Sequence, residues 1–170
     1  IAAKYRAQPF TNYRIMLSKC PQIKAVSVAV PTKSHQPVAC FFLRNKIHVL
    51  LEKPIAATIK DAEKIIVTAK NSGAKLTVGH VERFNPAVVK LKQLIKKGKL
   101  GKIISVVARR IGVFPPQIKD ANVFLDLAVH DIDIINYLLD EEPGVVYKHS
   151  GKFHAKRQED SGEMFLIYKN

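Results

Sequence analysis

The chain has 170 residues, a formal net charge of +14 and 47% hydrophobic residues. This length and apolar share exclude intrinsic disorder and are sufficient for a buried core. Cys20 and Cys40 stand far apart and no apolar run approaches roughly 18 residues, which excludes a disulfide scaffold and a membrane helix and favours a cytoplasmic protein.

Short apolar, β-rich runs alternate with amphipathic segments through the first half of the chain. Three of these runs are predicted as strands: residues 25–30, 47–51 and 75–78. Ser34 is placed to cap a helix that runs to Arg44. Thr58 and Asp61 resemble a capping box for the next helix, which Gly73 ends. Strands separated by helices predict right-handed βαβ units and a parallel, doubly wound α/β sheet.

The pattern changes near residues 79–85, where we place a domain junction. Asn85 followed by a proline predicts the start of a helix that ends at Gly98. Further elements are predicted in the order strand, proline-containing loop, helix, strand and strand: residues 102–113, 115–116, 126–139, 145–153 and 163–168. The second half is therefore predicted to be α+β.

The positive charge is most concentrated in a lysine-rich run over residues 90–99. Apolar residues recur there at helical spacing, so the lysines are expected to form the solvated face of a helix. The run has neither interleaved aromatics nor a recognisable nucleic-acid-binding motif, and we expect no nucleic-acid partner. A basic polyanion-binding module stays as an alternative that depends on the net charge.

Polar residues follow two predicted strands at their carboxyl ends, where open α/β sheets bind ligands. Residues 31–35 follow the first strand, and Lys53 stands between Glu52 and a proline after the second. A proline in this place restricts Lys53 to extended geometry. Lys53 is either an exposed charge at a strand exit or a functional cation.

A second group of polar residues lies on the predicted helix over residues 126–139. Asp126, His130 and Asp133 fall at i, i+4 and i+7, on one helix face. A carboxylate one turn from an imidazole can orient it and raise its basicity, which suits a general base. Three interpretations stay open: a metal site, a structural histidine and a catalytic base.

Taken together, these motifs occur in a specific order: residues 30–35, 52–54, 79–86 and then the Asp126, His130 and Asp133 group. With them the chain resembles the Gfo/Idh/MocA family of nicotinamide-dependent sugar dehydrogenases, from about Tyr5 onward. The resemblance implies part of a Rossmann domain over residues 1–82. It implies the first part of an α+β domain, with an open, mostly antiparallel sheet, over residues 83–170.

The resemblance also implies roles for individual residues, with NAD or NADP as cofactor and no metal. Lys53 matches the family's catalytic lysine, His130 the proton acceptor, and Asp126 the acid that orients the substrate or the histidine. The residues implied to bind the cofactor are Pro31, Thr32, His35, Glu52 and Lys53.

A narrower resemblance concerns members that oxidise the 3-hydroxyl of UDP-N-acetylglucosamine or a related UDP-sugar. It implies substrate contacts for Arg83, Asn85, Arg110, Asp126 and His130. An inositol or other polyol dehydrogenase of the same family is the alternative. The family implies a small sugar or UDP-sugar substrate and a homo-oligomer, dimer or tetramer, for the parent enzyme.

The family's glycine-rich phosphate-binding turn has no counterpart here, because all eight glycines lie at position 73 or later. We therefore expect the chain to be an internal fragment that lacks the first strand, the glycine-rich turn, the second strand and the C-terminal end of the family's sheet. We also expect weak cofactor binding and no appreciable activity from the chain alone.

Overall fold

The computed structural model describes residues 2–112, 122–155 and 158–169. The helices and strands of these ranges are, in chain order, α1 (Tyr13–Lys19), β1 (Ala25–Val28), α2 (His35–Arg44), β2 (His48–Leu51), α3 (Ile59–Ser72), β3 (Leu76–Val78), α4 (Pro86–Lys96), α5 (Val129–Leu139), β4 (Val145–Gly151) and β5 (Ser161–Ile167). The proline-containing loop predicted at residues 115–116 lies outside the described residues. Within them, no helix combines the length and apolar character needed to cross a membrane.

The first three strands form one parallel sheet in the order β1, β2, β3. Val26 pairs with Val49, which in turn pairs with Leu76, so the central strand is β2. The core beside the sheet consists of buried apolar side chains from the strands, α2 and α3: Val28, Val38, Ala39, Cys40, Phe42, Leu43, Val49, Leu51 and Ile65. The predicted parallel α/β sheet is confirmed.

Three helix boundaries are formed as the sequence predicts. The Thr58 hydroxyl accepts a hydrogen bond from the Asp61 N–H at 3.1 Å at the start of α3. Gly73 ends that helix with a left-handed φ of +69°. The Asn85 side chain accepts a hydrogen bond from the Ala87 N–H at 3.0 Å and begins α4.

Other local predictions are wrong. Ser34 makes no capping bond, because it lies in a 3₁₀ turn, Thr32–Ser34, whose helical backbone already leads into α2. The strand predicted over residues 102–113 is not formed in its described part, because no described strand pairs with it in a hydrogen-bonded ladder, and Ile104 is 94% exposed. Helix α1 was not predicted from the sequence, although the Asn12 side chain caps its start.

The second half combines helices with an antiparallel hairpin of β4 and β5, which confirms the predicted α+β character. The hairpin packs on Phe124, which precedes α5: a Cβ on Gly162 would overlap the Phe124 ring, so any other residue there would force one of the two to shift. The Tyr168 hydroxyl donates a hydrogen bond to the Asn136 side chain at 2.6 Å and joins the end of the hairpin to α5.

Helices α4 and α5 are joined through a buried lysine. The Lys92 ammonium donates to the main-chain carbonyls of Tyr137 and Leu138 and forms an ion pair with Asp140 at 2.6 Å. The last carbonyls of a helix lack partners within the helix, so Lys92 satisfies the end of α5. This contact fixes the helix that carries His130.

Candidate active site

The candidate site lies at the carboxyl ends of β2 and β3. Because both strands are parallel, their exits meet at the same edge of the sheet. Glu52 and Lys53 follow β2, and His80 and Arg83 follow β3. The helical segment that ends in α5 faces this edge, since Lys53 reaches across to Asp126.

The Lys53 ammonium is held by two oxygens of one residue. It donates to the Asp126 carbonyl at 2.9 Å and to the Asp126 carboxylate at 3.1 Å. Side-chain exposures of 19% and 23% show that this ion pair is largely shielded from solvent. Lys53 is therefore positioned by a tertiary contact rather than left as an exposed charge at a strand exit.

Asp126 belongs to a π-helical turn, Phe124–Ala128, that precedes α5. Such turns are wider than an α-helical turn and occur frequently at functional sites. The predicted orienting bond from the Asp126 carboxylate to His130 is not formed; the carboxylate contacts Lys53 instead. The physical reason is the wider turn, in which residues four apart no longer lie one above the other.

His130 carries a buried Nδ1 without a hydrogen-bond partner among the described residues. Burial lowers the pKa of His130 below its ordinary value, and the charges of Lys53 and Arg110 lower it further. Glu82 and Asp126 oppose this with weaker effects. The Asp126 carboxylate thus acts in the expected direction, but burial and the two cations outweigh it, and the net lowering favours the neutral imidazole at neutral pH.

Arg83 is bound to an acid of α5. Its Nε and Nη2 donate to the two Asp133 oxygens at 2.8 and 2.6 Å, and its guanidinium lies over the Tyr137 ring. This hydrogen bonding to Asp133 raises the pKa of Arg83. His80 also approaches Asp133, with Nδ1 3.6 Å from its Oδ1. The predicted substrate contact of Arg83 stays untested, and two of its five N–H groups are engaged by Asp133.

The other predicted substrate residues also have partners within the chain. Arg110 donates from Nε to both Asp131 oxygens at 2.9 Å. Asn85 caps α4 and donates to Glu82 at 3.1 Å, so its amide has a structural role. Sequence reasoning placed Asp133 on a helix face with Asp126 and His130 but missed its pairing with Arg83, and it gave Asp131 no role.

The residues predicted to bind the cofactor divide into two groups. Pro31, Thr32 and Glu52 lie at the exits of β1 and β2, together with Lys53. His35 differs, because its ring is 1% exposed and both nitrogens approach main-chain carbonyls. That His35 helps to bind the cofactor stays a prediction.

No group of three or more histidine, cysteine, aspartate or glutamate side chains in the described ranges is arranged to hold a metal ion. The carboxylates of Asp126 and Asp133, which a metal on this helix would need, contact Lys53 and Arg83. The chemistry that these groups can supply is a neutral imidazole base beside a fixed ammonium.

Comparison with known families matches both halves of the chain. The model described as "Oxidoreductase family, NAD-binding Rossmann fold" covers residues 1–80, and that described as "GFO/IDH/MocA C-terminal domain" covers residues 88–170. These matches confirm the predicted family and its NAD-binding Rossmann fold.

Individual relatives agree with the family models. UDP-N-acetylglucosamine 3-dehydrogenase of Acidithiobacillus ferrooxidans is 30% identical over 84% of this chain and 44% of its own length. Its crystal structure superposes with a TM-score of 0.83 at 27% identity, covering 97% of this chain and 52% of that one. Myo-inositol 2-dehydrogenase of Thermotoga maritima is 29% identical over 75% of this chain and 39% of its own length. The chain thus spans less than half the length of these two curated relatives.

Proposed function

The chain belongs to the Gfo/Idh/MocA oxidoreductase family, and from this premise we propose that it carries the catalytic groups of an NAD- or NADP-dependent dehydrogenase. The substrate is a secondary hydroxyl of a sugar or nucleotide sugar. The observation that carries this proposal is the pairing of a fixed ammonium with a neutral base. Lys53 is held by Asp126, and its charge helps to keep the nearby His130 unprotonated.

These side chains divide the chemistry of alcohol oxidation between them. His130 accepts the hydroxyl proton, because a neutral imidazole can act as a general base. The Lys53 ammonium stabilises the negative charge that develops on the substrate oxygen as the proton leaves. When bound, the nicotinamide cofactor supplies the acceptor for the hydride from the carbinol carbon. Asp126 keeps Lys53 at the reacting oxygen.

The strand exits fit such a cofactor. Pro31, Thr32, Glu52 and Lys53 would hold it, since they share the edge of the sheet where open α/β folds bind nucleotides. The Glu52 N–H donates to the Val28 carbonyl at 3.0 Å, so the exits of β1 and β2 that carry these residues lie side by side.

For the substrate we propose the 3-hydroxyl of a UDP-N-acetylhexosamine. The support is the 30% identity to UDP-N-acetylglucosamine 3-dehydrogenase of Acidithiobacillus ferrooxidans. Arg83 and Arg110 lie at the site, and each guanidinium is bound to an acid through part of its N–H groups. The remaining N–H groups suit hydrogen bonds to a diphosphate. An inositol or other polyol is the alternative, supported by the Thermotoga maritima relative.

We also propose a cytoplasmic enzyme that works as a homo-oligomer. Cys20 and Cys40 are both free thiols, which suits a reducing compartment. Light scattering on the complete translated protein is expected to give a dimer or tetramer. A monomer at micromolar concentration would contradict the proposed homo-oligomer.

The test of function uses the complete translated protein with NAD or NADP, and follows nicotinamide absorbance with UDP-N-acetylglucosamine or myo-inositol as substrate. Lys53→Ala and His130→Ala are each expected to abolish turnover without loss of the fold. Lys60→Ala, which changes an exposed lysine of α3, is the matched control and is expected to keep wild-type turnover. Retained turnover in both site variants would defeat the assignment.

A further inference from the structure

His35 is the first residue of α2, and its side chain is fully enclosed by the core. Its Nδ1 lies 2.9 Å from the main-chain carbonyl oxygen of Pro54, and its Nε2 lies 3.0 Å from that of Val30. These two carbonyls belong to the segments that follow β2 and β1. One imidazole therefore spans the exits of two neighbouring strands.

The contact with Pro54 bears on the candidate site because Pro54 directly follows Lys53. Both neighbours of the His35 ring are carbonyl oxygens, which only accept, and a neutral imidazole carries one N–H. The nitrogen that carries this proton determines whether the ring donates to the Pro54 carbonyl, after β2, or to the Val30 carbonyl, after β1. A hydrogen bond from Nδ1 would restrain the segment whose ammonium meets Asp126.

We propose that His35 is a positioning residue for Lys53: its Nδ1–H donates to the Pro54 carbonyl and ties the exit of β2 to the start of α2. The inference rests on the proposed function, since it gives the proposed catalytic lysine a support from a buried side chain. Without this tether, the Lys53–Pro54 segment opens more often and the ammonium leaves the two oxygens of Asp126.

Two substitutions separate the two contacts of the ring. Asparagine places its amide nitrogen as far along the side chain as the imidazole Nδ1, and glutamine places it as far as the imidazole Nε2. His35→Asn is therefore expected to keep the contact with Pro54, and His35→Gln the contact with Val30. Both variants remove the ring from the same buried position, so they form a matched pair.

The first measurement is the rate at which a small acylating reagent modifies Lys53 in the folded 170-residue chain, followed by mass spectrometry. In His35→Gln this rate is expected to rise about three- to tenfold, the range that the loss of one hydrogen bond implies. In His35→Asn it stays close to wild type. Lys92, buried at the end of α5, is the internal reference, and its rate stays unchanged.

Equal Lys53 rates in the two variants, or a parallel rise at Lys92, would overturn the proposal. Turnover of the complete translated protein gives a second readout. There, His35→Gln is expected to lower kcat more than His35→Asn does, with little change in the KM of the sugar in either variant. If the wild-type protein has no dehydrogenase activity but the labelling pattern holds, the proposed function fails while the tether stands, so the two failures are distinguishable.

Discussion

The protonation of His130 depends on residues that lie far from it in the chain. Burial has the largest effect on its pKa, followed by Lys53 from the exit of β2 and Arg110 from the segment before the helix. All of these lower the pKa, and the opposing carboxylates are weaker. The helix neighbour Asp126 therefore affects His130 less than two cations brought near by the fold.

Removing the Lys53 charge is expected to raise the pKa of His130, since a cation nearby disfavours the imidazolium. The measurement is an NMR titration of the His130 ring protons in wild type and in Lys53→Met. Lys60→Met, on the exposed face of α3, serves as control and leaves the titration unchanged. A His130 pKa that stays constant or falls in Lys53→Met contradicts this account.

The same shift predicts how stability varies with pH. The pKa of His130 in the folded state is lowered from its ordinary value of 6.5, so below pH 6.5 the unfolded chain binds more protons than the folded one. Stability is therefore lost as the pH falls from 6.5 through the lower folded-state pKa. Replacing His130 with asparagine is expected to flatten this part of the stability profile, measured by urea unfolding.

At the scale of elements, helix ends follow local rules. Thr58, Gly73 and Asn85 act where the sequence places them, because a cap needs only the side chain and backbone of adjacent residues. The π-helical turn at Phe124–Ala128 follows no such local rule. Asp126 in this turn accepts a hydrogen bond from Lys53, which lies at the exit of β2, and spacing along the chain does not predict that contact.

Substitution of Gly73 tests the end of α3. Its φ is +69°, and no atom lies within 4 Å of an added Cβ, so the cost of Gly73→Ala is one of backbone conformation alone. We expect a loss of about 1 kcal/mol in the free energy of unfolding. Gly73→Asn is expected to cost less, because asparagine tolerates the left-handed region. Urea unfolding measures both, and equal losses would argue against the conformational explanation.

The hairpin of β4 and β5 offers a test through its connecting segment. The Asp160 carboxylate accepts hydrogen bonds from the N–H groups of Phe153, His154 and Ala155, and these bonds lower the pKa of Asp160 to about 2. The stabilisation is present above the unfolded-state value of 3.8 and is lost as the pH falls towards 2.

Asp160→Asn is therefore expected to lower the Tm at pH 7, and the difference from wild type is expected to shrink as the pH approaches 2. Thermal unfolding followed by circular dichroism at both pH values measures this. A difference in Tm that is independent of pH would show that the carboxylate charge is not responsible.

At the scale of the whole molecule, ion pairs connect separate segments to one helical region. Lys53 from the exit of β2 binds Asp126, Arg83 from the exit of β3 binds Asp133, and Arg110 binds Asp131. His130 lies among these pairs in the chain. The pairs therefore align the carboxyl edge of the parallel sheet with the helix that carries the proposed base.

A double-mutant cycle on Arg83→Ala and Asp133→Ala tests this connection. The pair is bidentate and Asp133 is 11% exposed, so we expect a coupling of about 0.5–1 kcal/mol in the free energy of unfolding. Arg83→Ala combined with Asp61→Ala, at the remote start of α3, is the additive control. Strict additivity for Arg83 and Asp133 would mean that the contact does not contribute to stability.

The amino-acid sequence by itself determined the order of strands and helices from β1 to β3, the helix boundaries at Thr58, Gly73 and Asn85, and the family, because hydrophobic periodicity, caps and short motifs depend on near neighbours. It also singled out Lys53 and His130 as candidates. Only the tertiary structure decided that Asp126 holds Lys53 rather than His130, and that His35 is buried. Those contacts join residues from different elements, and their distances follow from packing rather than from spacing along the chain.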